Sequence, residues 1–311
     1  MGDIAVPRLA SAVANAGALG MIQPNNDRDP RHVEKMLEET RALTTTGRVF
    51  GTNFLVPEAY VPDLSQIFES VEVASKMVRV VQFFYREPEP KLIEIVHKGG
   101  ALAFWQVGSK EEAIVATDAG CDVIVAQGME AGGHLRGKLG LHALLGEVLD
   151  AVEIPVLAAG GIGSGRDLAA VLSAGASGVT MGTRFVAAEE SPAHPEYVNA
   201  LIESKSEDTV ITEAFSYGWP NAPHRVLRSS IEAAQSFKGD VVARKKPYGI
   251  GEWFDIHKFE CDTITRDTEG TISAMPHWAG EGVNQIHRVQ SAADIVRELS
   301  SEAEMILNSQ K

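Results

Sequence analysis

Pro155-Val-Leu-Ala-Ala-Gly-Gly-Ile-Gly-Ser-Gly165 is a short apolar run that breaks on glycine, and Gly178-Val-Thr-Met-Gly-Thr-Arg-Phe185 repeats the pattern after one stretch of helical length, Arg166–Ala174. Runs this short and apolar suit strands buried on both faces, and a helix between two of them makes a parallel crossover unit. Upstream the same alternation recurs. Strands are expected at Ala18–Ile22, Val49–Leu55, Val78–Phe84, Ala101–Val107, Asp122–Gln127, Pro155–Ala159 and Gly178–Met181, with helices such as Glu111–Ala119 between them. Parallel strands must be covered on both faces, which leaves an open doubly wound sheet or a closed barrel. Seven strands are one short of a (β/α)8 barrel. The chain opens on a helical stretch, Pro7–Ala16, with Pro7 suited to a first turn, so Met1–Val6 reads as the loop that leaves a missing first strand.

If that strand is counted, the two glycine loops follow strands seven and eight, where barrels of this type commonly hold a phosphate. Glycine lets backbone N–H groups close on an anion without a Cβ in the way. Gly160, Gly161, Gly182 and the Thr183 hydroxyl are therefore candidate phosphate donors. The bland alternative, glycines that only turn corners, accounts better for one such pair than for two loops at successive strand ends. Gly161-Ile-Gly-Ser-Gly165 lacks the G-x-G-x-x-G spacing of a dinucleotide site.

A second informative segment is Ala126-Gln-Gly-Met-Glu-Ala-Gly-Gly-His134, at the C-terminal end of a strand, where barrel enzymes place reacting groups. An imidazole there can take a proton near neutral pH, and Gly132 and Gly133 leave room for a flat ligand. His134 is thus the candidate base. His142 falls on an expected helix, and His194, His224, His257, His277 and His287 fall in or beside a later lobe, where surface polar roles are expected. Glu130 reads as a structural hydrogen-bonding residue, and Asp118, Asp122 and Asp150 as helix-end or turn residues.

After Phe185 the rhythm changes, with Pro192, Pro195, Pro220, Pro223, Pro247 and Pro276 spread through a mixed region. We expect a barrel over residues 1–186, an accessory substrate-side lobe over 187–285, and a final helix over 286–311 that packs back on the barrel. The 28 Lys and Arg against 42 Asp and Glu give a net charge of -14, with no basic stripe to follow a phosphate backbone, so nucleic acid is not an expected partner. Cys121 and Cys261 form no metal-ligand spacing, and no metal is expected. Apolar runs stop well before the roughly 20 residues of a membrane span, and the first residues lack a secretory pattern, so a cytoplasmic protein is expected.

Gln127-Gly-Met-Glu-Ala-Gly-Gly-His134, with Ala158-Ala-Gly-Gly-Ile162 and Met181-Gly-Thr-Arg-Phe185, resembles the nitronate monooxygenase family, formerly called 2-nitropropane dioxygenases. Weaker similarity runs from Leu9–Gly20 through Gly51-Thr-Asn53 to Ala279-Gly-Glu-Gly282 and the last helix. The resemblance implies a barrel that binds FMN without a covalent bond. It implies Asn53, Gln106 and Gln127 along the flavin, Gly132 and Gly133 beside it, the phosphate on Gly160, Gly161, Gly182 and Thr183, and His134 as the catalytic histidine. The expected reaction is oxidation of an alkyl nitronate, or a nitroalkane, by O2 to a carbonyl compound and nitrite. Relatives begin with a flavin-touching strand of which only Met1 and Gly2 would remain, so a start placed too late is expected. The loop His134-Leu-Arg-Gly137 is one residue longer than the commoner form.

Two other enzyme readings share these motifs: a flavin-dependent enoyl-acyl-carrier-protein reductase and an NAD(P)H:quinone reductase. A barrel that has lost its chemistry and only binds flavin is the non-enzyme reading. Substrate preference and assembly, including a homodimer, stay open at this level.

Overall fold

The computed structural model describes residues 1–24 and 28–309. In chain order its elements are α1 (Pro7–Asn15), β1 (Gly20–Ile22), α2 (Pro30–Leu43), β2 (Phe50–Leu55), α3 (Phe68–Met77), β3 (Val80–Phe84), α4 (Pro90–Gly99), β4 (Leu102–Val107), α5 (Lys110–Asp118), β5 (Val123–Gln127), β6 (Gly133–His134), α6 (Leu141–Leu149), β7 (Val156–Ala159), α7 (Gly165–Ser173), β8 (Gly178–Thr180) and α8 (Thr183–Val186). The second half adds α9 (Pro195–Glu203), β9 (Thr209–Thr212), β10 (His224–Leu227), α10 (Arg228–Ser236), β11 (Val241–Lys245), β12 (Phe254–His257), β13 (Thr268–Gly270) and α11 (Ala292–Ser309).

Local chemistry sets the helix starts. Asp29, Glu89 and Ser109 each accept a backbone N–H at the first turn of α2, α4 and α5, and Ser164 with Asp167 forms a reciprocal capping box on α7. Pro7, Pro30 and Pro90 occupy first-turn positions, where the missing N–H is not needed.

Seven strands form one parallel sheet in the order β1-β2-β3-β4-β5-β7-β8, curled as a (β/α) barrel wall with helices outside. Among the described residues, β1 and β8 do not pair with each other. Register climbs along the wall: Asn53 stands opposite Gln82, Gln82 opposite Phe104, and Gln106 opposite Val125. This stagger brings side chains from successive strands to one mouth.

The core of the wall holds the fully buried Trp105, Phe83 and Phe54. A second core joins Ile4 and Leu9, from the start of the chain, to Tyr197, Phe215, Met275 and Ile295. The accessory region therefore shares its interior with the first and last helices. On the far side α11 lies against α7, where the Gly165 N–H donates to the Glu302 carboxylate at 2.8 Å. Residues 310 and 311 of the expected final helix lie outside the described residues.

Two small antiparallel sheets complete the region, β6-β10-β9 and β12-β11-β13. The first was not foreseen from the sequence, because its edge strand β6 comes from the barrel.

Candidate active site

A row of carboxamides lines the mouth of the barrel. Gln23 Oε1 accepts from Asn53 Nδ2 at 3.3 Å, and Gln82 Nε2 donates to Asn53 Oδ1 at 3.1 Å and to Gln106 Oε1 at 3.2 Å. At the end of β5, Gln127 Nε2 donates to the His134 carbonyl at 3.1 Å, while Gln127 Oε1 is buried with no partner. Sequence reasoning named Asn53, Gln106 and Gln127 and missed Gln23 and Gln82. A signal was present, since Gln82 is the one polar residue in Val80-Val-Gln-Phe-Phe84. Met1 and Gly2 lie beside this row: the Met1 amine donates to Gln23 Oε1 at 2.9 Å, and a Cβ on Gly2 would meet the Gln23 amide and Thr263.

Close backbone approach gathers the glycine loops. A Cβ on Gly132 would stand 2.4 Å from the Gly280 nitrogen and 3.0 Å from Thr183 Oγ1, and the Gly280 N–H donates to that hydroxyl at 3.0 Å. Gly160 has φ +110° and sits against Gly128 O and Ala131 N, while Gly161 has φ +70° and sits against Glu130. Gly182 faces the Met1 side chain. The loops after β5, β7 and β8 and the Ala279–Gly282 turn thus meet in a cradle of backbone packed so closely that side chains there would collide.

His134 is not in a free loop. It lies on β6 with its backbone opposite His224 of β10. Its ring is stacked on Trp219 with centroids 3.9 Å apart and planes at 20°, and Tyr85, His224 and Trp278 surround it at 5.9, 5.3 and 5.2 Å. Nε2 is buried without a hydrogen-bond partner. Burial, aided by the neighbouring His224, lowers the His134 pKa to about 3, so the imidazole stands neutral.

The expectation of surface roles for the later histidines fails at two of them. His224 is fully buried and His277 is 4% exposed, because the region 187–285 packs onto the site rather than standing apart. Arg225 fixes that packing, donating to Met129 O and Thr209 and pairing with Glu281 at 3.0 Å. Glu130 accepts the Leu141 N–H at the start of α6. Among the described residues no His/Cys/Asp/Glu cluster could hold a metal, and no helix is long and apolar enough to cross a membrane.

A parallel barrel wall with a buried histidine and a glycine cradle at its mouth frames the site, and the chain's relatives make it an oxidoreductase of barrel type. The chain belongs to the nitronate monooxygenase family, whose model matches residues 1–302. Among relatives, it is 34% identical over 251 residues to a (3aS,4S,5R,7aS)-5-hydroxy-7a-methyl-1-oxo-octahydro-1H-indene-4-carboxyl-CoA dehydrogenase of Rhodococcus jostii, covering 79% of this chain and 67% of that one. It is 31% identical over 280 residues to a probable nitronate monooxygenase of Staphylococcus aureus, covering 78% and 77%. Among solved structures it is similar to FabK from Thermotoga maritima, with TM-score 0.77, 28% identity and coverage of 100% and 92%. It is also similar to a nitroalkane oxidase from Streptomyces ansochromogenes, with TM-score 0.77, 26% identity and coverage of 100% and 95%.

Proposed function

We propose that this protein is an FMN-dependent nitronate monooxygenase, oxidising alkyl nitronates with O2 to carbonyl compounds and nitrite, and that His134 is its catalytic residue. The observation that carries this reading is that two of the buried side-chain atoms without a partner, His134 Nε2 and Gln127 Oε1, stand together where β5 and β6 meet, Gln127 being bonded to the His134 carbonyl. Buried polar atoms without partners are rare in a chain by itself and are expected where a ligand supplies the missing bond.

The residues present fit FMN. Asn53, Gln82, Gln106 and Gln127 offer the alternating donors and acceptors that a flavin ring edge needs, with Met1 and Gly2 at the end of the row. Gly133, open on its side-chain face, and its neighbour Gly132 would lie beside the flat ring, and Gly160, Gly161, Gly182 and Thr183 would hold the phosphate. When bound, the flavin supplies the redox chemistry. The chain's own part is to bind and orient. Neutral His134 donates its Nε2–H to the oxygens of a ready-made nitronate; for it to take the proton from the carbon of a nitroalkane, bound substrate must raise its depressed pKa. The surrounding aromatic rings exclude water from that contact. Residues 1–186 act as the cofactor barrel, 187–285 as the substrate-side lobe and 286–311 as the closing helix. A cytoplasmic location and a homodimeric assembly belong to the same reading.

A second reading has support of its own. The Rhodococcus relative is named as a CoA-thioester dehydrogenase, which favours a thioester substrate with a nicotinamide partner. Anaerobic mixing of the flavin-loaded protein with ethyl nitronate in one cell and NADPH in another separates the two. Flavin bleached by nitronate, and not in His134→Ala, supports the monooxygenase. Rapid bleaching by NADPH alone favours the reductases, and a purified protein that takes up no added FMN favours a barrel without cofactor.

A further inference from the structure

Three cations are buried among the described residues: Lys245, Arg225 and Arg184. Two of them are committed. Lys245 stands between Asp3 and Asp262, and Arg225 divides its nitrogens among Met129 O, Thr209 Oγ1 and Glu281. Arg184, 2% exposed, is different: Nη2 donates to Gln290 Oε1 at 2.6 Å and stands 3.5 Å from the half-exposed Glu298 carboxylate, while Nε and Nη1 are buried with no partner. A guanidinium keeps its charge at any ordinary pH, so two idle donors in the interior carry a cost that an anion would offset. One nitrogen suffices to tie α8 to α11 through Gln290 and Glu298, which leaves the other two without a structural task.

The place where an anion is expected lies next in the chain. Arg184 follows Thr183, and the cradle of Gly160, Gly161, Gly182 and Thr183 offers a phosphate only neutral donors. The surroundings of that cradle are acidic. At the start of α7, where a helix ordinarily presents free N–H groups to a phosphate, Asp167 already accepts from Gly163 and Ser164 at 3.0 and 2.9 Å, and Glu302 accepts from Gly165 at 2.8 Å. Glu130 lies against Gly161. Glu298 stands one helical turn before Glu302 on α11, so the Arg184 guanidinium reaches the same corner of the fold as these carboxylates. A flavin phosphate held there adds a charge of about −2 to acidic surroundings, and neutral N–H groups alone do not balance it.

We propose that Arg184 is the counter-charge of the phosphate cradle: its buried guanidinium, with two uncommitted nitrogens, works alongside the neutral donors of the glycine loops and sets the preference of this site for a phosphorylated flavin over an unphosphorylated one. This rests on the cofactor part of the nitronate reading, and the test is chosen to separate the two. The flavin-free full-length chain is titrated with FMN and with riboflavin, followed by flavin fluorescence, in the wild type, Arg184→Gln and Arg184→Lys. Arg184→Gln is expected to weaken FMN at least about tenfold, the scale of one charge-assisted hydrogen bond, and riboflavin by no more than about twofold. Arg184→Lys, which keeps the charge and guards against misfolding of the neutral variant, is expected to retain most of the preference for FMN. Equal losses for FMN and riboflavin in Arg184→Gln would make the residue a tie between α8 and α11 alone and would overturn the proposal while leaving the cofactor reading in place. A wild type that takes up neither flavin overturns both. A preference that falls as expected in a protein that, loaded with FMN, does not turn over ethyl nitronate supports the counter-charge and counts against the oxidation reaction instead.

Discussion

His134 and His224 are register partners, set opposite each other by the pairing of β6 with β10, with their rings 5.3 Å apart. The His224 ring gives Nδ1–H to Ala222 O and receives the Phe215 N–H at Nε2, an arrangement that only the neutral tautomer satisfies. Burial holds its pKa below the ordinary histidine value, and holds His134 at about 3 and His277 at about 4.

A pH prediction comes from that trio. Each ring binds fewer protons folded than unfolded between its depressed pKa and about 6.5, so stability is full above that pH and is lost as pH falls. From pH 7 to pH 5, each imidazole that stays neutral removes up to about 2 kcal/mol of unfolding free energy. Urea titrations at the two pH values check this in the wild type and in His134→Phe, whose loss should be smaller by about that amount. An unchanged slope in the variant would mean that His134 is not held neutral.

The adjacent glycines of the β5 loop predict opposite outcomes. Gly132→Ala drives a Cβ to 2.4 Å from a backbone nitrogen that cannot swing away, so it should cost about 1–3 kcal/mol and weaken flavin binding at least about tenfold. In the flavin-free protein Gly133→Ala meets nothing within 4 Å and bears only the strain of φ +79°, about 1 kcal/mol. Flavin retention on gel filtration, with thermal melts, tells the two apart; equal behaviour would rule out the cradle as the reason for Gly132.

Gln127 offers a sharper test of ligand binding. Replacing it with Met removes a hydrogen bond to the His134 carbonyl but also removes a buried acceptor that has no partner, and leaving such an atom unsatisfied costs about 1–3 kcal/mol. The flavin-free variant should therefore be as stable as the wild type within about 1 kcal/mol while its flavin affinity falls about tenfold or more. Denaturant midpoints and fluorescence titration with FMN give the two values independently. A variant that loses stability and affinity together would assign Gln127 to the framework alone.

The parallel wall was legible because buried strands and their helices leave short apolar runs at regular intervals, and observed boundaries such as Val123–Gln127 fall within a residue or two of the expected ones. His134 and the glycine loops stand out in the sequence because they follow strand ends, where barrels concentrate reacting groups, and the structure brings them to one mouth. What the sequence hid is non-local. Nothing in Gly133-His134 announces that β10 will pair with it from some ninety residues away, and so nothing announced that His224 would be buried there. Trp219 was silent for the same reason: its stacking depends on a loop whose position is set by the second core, not by its own residues.

Lys245 is the most deeply buried cation of the accessory region, 1% exposed, with Nζ 2.5 Å from Asp3 and 2.6 Å from Asp262. Burial alone would lower its pKa, but the two carboxylates outweigh it and hold the ammonium charged. The triad ties the start of the chain, next to Gln23 and the mouth of the barrel, to β11. Lys245→Met leaves two carboxylates facing each other without a counter-charge, which should cost about 3–5 kcal/mol. Removing the charges together, as Lys245→Met with Asp3→Asn and Asp262→Asn, should recover most of the loss, because the penalty lies in the uncompensated charge rather than in the missing contact. Chemical denaturation of the single and triple variants measures both. If the triple variant is no more stable than Lys245→Met, the triad contributes through packing of the lysine stem, and the tie between the first residues and β11 is not electrostatic.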